Sequence, residues 1–161
     1  MQRALCSAGF QAVREPVELN RDDGKRPDGM TRLPWCQGKS LIWDVTVVDT
    51  FAESHIGTTS ITACSAADKA EDLKRTKYAA LCDRYDFAAI GIETLGSLGS
   101  EAMKTLNRIG QQLADQSGEK RSTCFLLEKI SIELQRGNAC SVLGTFKETR
   151  GLEELFYILK P

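Results

Sequence analysis

Two aspartates, at positions 28 and 44, are the residues whose type and setting most favour chemistry. Asp28 lies between a proline and a glycine, in a turn that precedes a predicted strand. Asp44 follows sixteen residues later, inside an apolar, β-branched run that predicts a buried central strand. A strand, a turn and a returning strand can bring these carboxylates side by side. Close carboxylates repel, so a divalent cation is their natural partner, and Mg²⁺ (with Mn²⁺ as a substitute) suits a site with few protein ligands.

A helix predicted over about residues 65–85 supplies the remaining candidates. Lys74 and Tyr78 are four residues apart and share one helix face, and Lys77 lies within one turn of Lys74. A lysine near the carboxylates could position the attacking water or stabilise a pentavalent phosphate, which is the chemistry of phosphodiester hydrolysis. Each feature also has a structural explanation: a turn, a satisfied buried aspartate and a solvated helix face.

The elements that must position these residues follow from hydrophobic periodicity. Residues 40–48 and 86–94 predict core strands, and the latter ends at Glu93, a candidate accessory ligand for which a solvated strand end is the simpler interpretation. A short helix is expected from residue 4, closed by Gly9 or running to about Val13. The other expected elements are a short strand over 31–35, a hairpin turn at 37–39, a polar loop over 51–62, helices over 100–115 and 122–135, and a short apolar element over 151–159. Together they predict an α/β (α+β) domain with a central mixed sheet flanked by helices.

Composition bounds the class of protein. The 161 residues, with 42% hydrophobic and 27% charged residues, predict one globular domain over 1–161. A net charge of −1 and a pI near 5.9 exclude a protein that coats nucleic acid through bulk positive charge. No apolar run approaches a membrane span, so we expect a soluble protein without a membrane partner. Six scattered cysteines without a C-x-x-C pair, and one histidine, make a zinc site unexpected and an intracellular location expected.

The order and spacing of the motifs resemble a known nuclease family. The strings RPDG at 26–29, WDVT at 43–46 and ExxKxxKYxxL at 71–81 resemble the restriction-like endonuclease of site-specific non-LTR retrotransposons, a branch of the PD-(D/E)XK superfamily. Longer strings (DGKRPDG, WDVTVVDT, YxFxxIxIETLG and QRGNA) resemble the C-terminal part of retrotransposon-type open reading frames. The resemblance spans roughly residues 20–140. It implies a nuclease-like core over about 20–95, followed by a helical part over about 98–140.

Carried over residue by residue, the resemblance assigns the active site. Asp28 and Asp44 match the metal-binding acids, Lys74 or else Lys77 matches the catalytic lysine, and Tyr78 matches the tyrosine one turn later. The usual lysine position of the superfamily, two residues after the second acid, holds Thr46 here, so the site would depend on a lysine from the helix.

The resemblance also implies partners. The expected substrate is DNA, nicked to prime reverse transcription, and the expected neighbour is a reverse transcriptase region of a larger polyprotein, in the nucleus. Four basic residues near the predicted site are candidates to contact phosphates: Lys25, Arg26, Arg32 and Lys39.

Two other interpretations remain open. One is a catalytically inactive nucleic-acid- or protein-binding module on the same fold. The other, a small-molecule phosphate binder, rests only on the glycines at 96 and 99 before a predicted helix, and a plain helix start explains these.

Overall fold

The computed structural model describes residues 1–19 and 26–145, and these form helices on both faces of one four-stranded sheet. Lys25 and the apolar element expected over 151–159 lie outside the described residues. The helices are α1 (Gln2–Ser7), α2 (Glu53–Thr59), α3 (Ser65–Lys77), α4 (Ser100–Ser117) and α5 (Ser122–Thr145). The strands are β1 (Ala12–Arg14), β2 (Gly29–Thr31), β3 (Leu41–Val48) and β4 (Asp86–Glu93), and short 3-10 turns occupy Val17–Leu19 and Ala79–Leu81.

The sheet is mixed, with strand order β1-β2-β3-β4. β1, β2 and β3 pair antiparallel, and β3 pairs parallel with β4 over its whole length, from Leu41 opposite Asp86 to Val48 opposite Glu93. Parallel neighbours need a crossover connection, and α2 and α3 supply it. The predicted α/β class with a mixed central sheet is confirmed at this level.

The two sheet faces bury different clusters, because successive side chains of a strand alternate between faces. Trp43 of β3 packs with Leu106 and Ile109 of α4 and with Leu126 of α5. Ile42, its neighbour, packs on the other face with Tyr78, which follows α3. The central strand is therefore covered on both sides, as predicted.

Small residues allow α3 to lie close to the sheet. Ala66, Ala67 and Ala70 are the apolar residues that α3 buries, and the helix meets β4 at Gly91. A Cβ atom at Gly91 would lie 2.6 Å from the Ala67 carbonyl oxygen, so a larger residue there would push the helix away. This close approach brings the C-terminal half of α3 over the middle of β3.

Several elements differ from their predictions. The first helix ends at Ser7, close to the alternative end at Gly9, whose φ is +81°. The alternative end near Val13 is wrong, because Ala12–Arg14 form β1. The strand expected over 31–35 is instead β2, at Gly29–Thr31. The loop expected over 51–62 contains α2, which buries none of its residues and so lacks the apolar stripe that predicts a helix.

For the other elements, the predicted type is correct and the differences concern where a helix ends. β3, β4 and α4 agree with the predicted elements to within about two residues, which is the usual uncertainty of an element's end. The turn at 37–39 is confirmed, with Gln37 and Gly38 at positive φ and a bridge between Cys36 and Lys39. The helix expected over 65–85 ends earlier, at Lys77. α5 continues through Gly137, the predicted stop. Within the described residues, no helix combines the length and apolar character needed to cross a membrane.

Candidate active site

Asp44 is a buried carboxylate at the centre of the sheet. The residue is 3% exposed and lies on the α3 face of β3, together with Ile42 and opposite to Trp43. Ala89 of β4 pairs with Asp44 on one side of the strand, and Lys74 and Tyr78 cover the carboxylate from the α3 side. An ionised carboxylate in such a position requires a partner of its own.

Asp28 lies across from Asp44. Gly29 pairs with Trp43 and Met30 with Ile42, and the same register one residue further sets Asp28 opposite Asp44. Its Oδ2 accepts a hydrogen bond of 2.7 Å from the backbone N–H of Val45, which holds the Asp28 carboxylate against β3. Residues opposite each other across an antiparallel pair have Cα atoms about 4.5–5.5 Å apart. The predicted juxtaposition of the two acids is therefore present in the backbone.

The glycine after Asp28 is required by this arrangement. The Trp43 ring covers the α-carbon of Gly29, and a Cβ atom there would overlap the ring. The residue is also buried, as is Pro27. Trp43, the residue before Asp44, therefore packs directly against the turn that contains Asp28.

Lys74 and Tyr78 both reach Asp44. The Lys74 ammonium forms an ion pair with Asp44 Oδ2, and the Tyr78 hydroxyl lies 3.2 Å from Oδ1 and 3.0 Å from the Arg26 carbonyl oxygen. Burial, together with the negative charge of Asp44, raises the pKa of Tyr78 to about 12, so this hydroxyl stays protonated and able to donate. Tyr78 therefore links Asp44 to the segment that leads into Asp28.

Lys77 takes a different position from Lys74. Its ammonium lies 4.5 Å from the centroid of the Tyr78 ring, whereas the ion pair with Asp44 is made by Lys74. The sequence left the choice between the two lysines open, and the geometry favours Lys74 as the one that serves the carboxylate. Lys74 is also about a quarter exposed, so its ammonium is accessible from solvent.

The three predicted phosphate-contacting residues that the structure describes do not form one surface. Arg26 lies beside the site and ion-pairs with Glu15. Lys39 precedes β3 and donates to the Cys82 carbonyl at 3.2 Å, and it is five residues from Asp44, roughly 16 Å along an extended strand. Arg32 is exposed and follows β2 at that same end of the sheet. Lys25 is outside the described residues.

Glu93 and Glu71 have roles that the sequence patterns did not reveal. The interpretation of Glu93 as a solvated strand end is wrong: the residue is 2% exposed, and its Oε1 accepts hydrogen bonds from the backbone N–H groups of Ala66 and Ala67 at the start of α3. Glu71 is 4% exposed, and its carboxylate accepts hydrogen bonds from the backbone N–H groups of Gly91 and of the first turn of α4. Each caps a helix that is distant in sequence, so no local capping pattern announces it.

The donor set decides which metal the site could hold. Asp28 and Asp44 supply two carboxylates, and among the described residues Asp44 Oδ2 has no hydrogen-bond donor in good geometry, only the nearby Lys74 ammonium. The part of the chain that the structure describes contains no group of three or more acidic, histidine or cysteine residues arranged for a metal. Mg²⁺ is bound in many sites by one or two carboxylates with water and substrate phosphate, so these two acids fit that ion.

Searches against protein-family models and against curated proteins find no match to this chain.

Proposed function

We propose that this chain is a Mg²⁺-dependent DNA endonuclease domain of the restriction-like PD-(D/E)XK type, derived from a retroelement. The observation that carries the proposal is the contact set of Asp44: a carboxylate in the middle of the sheet that meets a lysine and a tyrosine from the following helical segment and lies opposite Asp28. The residues that resemble the retrotransposon endonuclease motif, far apart in sequence, thus converge at one place.

The protein residues divide the work as follows. Asp28 and Asp44 would hold Mg²⁺, which supplies Lewis-acid activation of the scissile phosphate when bound. The Lys74 ammonium would orient the attacking water or stabilise the charge that develops on phosphorus. Tyr78 is a positioning residue, because its hydroxyl fixes Asp44 relative to the backbone before Asp28. Water would add across one phosphodiester bond: a new bond forms from the water oxygen to phosphorus, one ester bond breaks, and the ends carry a phosphate monoester and a free hydroxyl.

One observation favours the inactive binding module instead. Asp44 is almost fully buried and already paired with Lys74, and a buried ion pair can exist without catalysing anything. In that case the carboxylate and the lysine would neutralise each other, and loss of either would affect only stability.

Nicking of supercoiled plasmid in Mg²⁺ or Mn²⁺ separates these functions. We expect the parent chain to nick the plasmid and the Asp44→Asn variant to lose roughly 10²–10³-fold of that activity, since a carboxylate ligand is lost while shape is kept. The Asp115→Asn variant, which also removes one negative charge but from an exposed position of α4, the helix on the sheet face opposite Asp44, is the matched control and should retain full activity. Equal nicking by parent and Asp44→Asn, or none by a folded parent, would reject the endonuclease.

A further inference from the structure

A large groove lies on the sheet face opposite α3. Its volume is about 1240 Å³, more than the roughly 300–1,000 Å³ that encloses a drug-sized ligand. Val45 and Val47 of β3 and Ile90 and Ile92 of β4 line it, and α1, α4 and α5 contribute further walls. Of the predicted catalytic residues, Asp28 is the one that lines this groove. Asp28 is therefore the point where the groove meets the candidate active site, whose other residues, Asp44, Lys74 and Tyr78, lie on the α3 face of the sheet.

Three basic side chains line the groove: Arg3 of α1, Arg14 of β1 and Lys129 of α5. No described carboxylate forms an ion pair with any of them. Burial lowers the pKa of the Met1 amino group, and the positive charges of Arg14 and Lys129 lower it further. Basic side chains from three separate elements thus line the same groove.

The acidic residues of the groove are already engaged. Glu15 pairs with Arg26, and Glu133 pairs with Arg136 at 2.8 Å. The third, Asp28, is the proposed metal ligand. The uncompensated charge of the lining is consequently positive, although the whole chain carries −1.

The groove also offers apolar and aromatic surface to an occupant. The Phe125 ring is 44% exposed at the groove, with the Arg121 guanidinium 4.9 Å from its centroid, and Val47 is 50% exposed. A duplex presents its phosphates outward and would leave this floor uncovered. An unpaired strand can place bases on apolar and aromatic surface while its phosphates meet basic side chains.

On this basis we propose that the groove binds a short single-stranded stretch of DNA, which continues from the bond presented to Asp28. This inference rests on the proposed endonuclease function and deepens it, because it names the form of the substrate: DNA that is unpaired next to the cut. Arg3, Arg14 and Lys129 would contact phosphates, and Phe125 would stack on a base.

Fluorescence anisotropy of a labelled 12-nucleotide single strand, measured with the full chain in EDTA, tests the proposal without cleavage. We expect the parent to bind it at least tenfold more tightly than a duplex of the same length. The Arg14→Ala/Lys129→Ala variant should bind about tenfold more weakly and reduce the slope of log affinity against log salt by about 1.4, the value for two lost phosphate contacts. Phe125→Ala should weaken binding roughly tenfold.

The matched control is Arg84→Ala/Lys104→Ala, which removes one arginine and one lysine that are exposed and do not line the groove. Equal losses in both double variants, tighter duplex binding, or no single-strand binding by the parent would overturn the inference. The nicking assay is read separately. Asp44-dependent nicking without groove-dependent binding rejects the groove alone, whereas groove-dependent binding without nicking rejects the endonuclease.

Discussion

The sheet buries carboxylates on the α3 side that differ sharply in how they are satisfied. Glu71 and Glu93 accept hydrogen bonds from backbone N–H groups at helix starts, where the helix dipole also favours a negative charge. Asp44 accepts no backbone N–H from any described residue; its neighbours are the Lys74 ammonium and the Tyr78 hydroxyl. Glu71 and Glu93 therefore connect helices to other elements through the backbone, whereas the polar partners of the Asp44 carboxylate among the described residues are the side chains of Lys74 and Tyr78.

This difference separates the two acids that cap helices from the acid that is proposed to bind metal. A carboxylate that satisfies backbone donors cannot be removed without leaving buried N–H groups unpaired. A carboxylate held only by side chains costs desolvation energy and offers little to the fold in return. Asp44 is therefore the buried acid whose presence a function explains best.

The largest expected effect follows from replacing a structural acid. Glu71→Ala leaves the backbone N–H groups of Gly91, Glu101 and Ala102 without their acceptor, so the free energy of unfolding should fall by on the order of 3 kcal/mol. Asp44→Ala should change it by less than about 1 kcal/mol, because the half-buried Lys74 can turn to solvent. Urea unfolding of both variants measures this, and comparable losses would remove the distinction between the acids.

Lys74→Met should produce the next largest effect. It leaves the buried Asp44 carboxylate without its cation, and the expected loss is about 1–3 kcal/mol, below the value for fully buried pairs because Lys74 is partly exposed. The same variant should abolish nicking, whereas Lys77→Met should retain it. Combining Lys74→Met with Asp44→Asn should recover most of the lost stability in a double-mutant cycle. Additive losses would mean that the ion pair does not couple the two residues.

Tyr78→Phe should cost about 1 kcal/mol, the typical net value of one hydrogen bond, because the hydroxyl has a single proton to share between Asp44 and the Arg26 carbonyl. Because the pKa of Tyr78 is raised to about 12, the folded state disfavours its ionisation. The stability of the parent relative to Tyr78→Phe should fall as pH rises from about 10 towards 12. Spectrophotometric titration up to pH 11 should give the same tyrosinate absorbance for both proteins, and excess absorbance in the parent would contradict this pKa.

The smallest expected effect is a pH dependence of Glu71. Burial raises the pKa of Glu71, and this effect exceeds the lowering caused by the hydrogen bonds that its carboxylate accepts from backbone N–H groups. A raised folded-state pKa means that the native state binds its proton more tightly than the unfolded state. This contribution to stability is present below about pH 4.3 and is lost as pH rises through the folded-state pKa. The free energy of unfolding of the parent should therefore decline relative to Glu71→Gln over that range, and a flat difference would contradict the shift.

Local sequence accounts for the elements that carry the site. The β-branched run of β3 predicts a strand covered on both faces. In the structure β3 lies between β2 and β4, with α4 and α5 on one face and α3 on the other. The spacing of Lys74 and Tyr78 predicts a shared helix face, and both reach Asp44. α2 could not be predicted, because a helix that buries no residue has no apolar stripe for a pattern to follow.

The long-range contacts lie beyond local sequence. No pattern identifies Glu93 as the cap of α3, since the two are joined only by the folding of β4 beside β3. The same holds for the groove, whose basic side chains come from α1, β1 and α5.

The sequence by itself determined which residues could do chemistry and on which elements they lie, because residue type and periodicity are local properties. Tertiary structure decided their relations. The β2–β3 register set Asp28 opposite Asp44, and the small residues where α3 meets Gly91 brought Lys74, rather than Lys77, to the carboxylate. The register of two strands and the distance of a helix from a sheet depend on which side chains pack against each other across the interface. These contacts join residues far apart in sequence, so local patterns do not specify them.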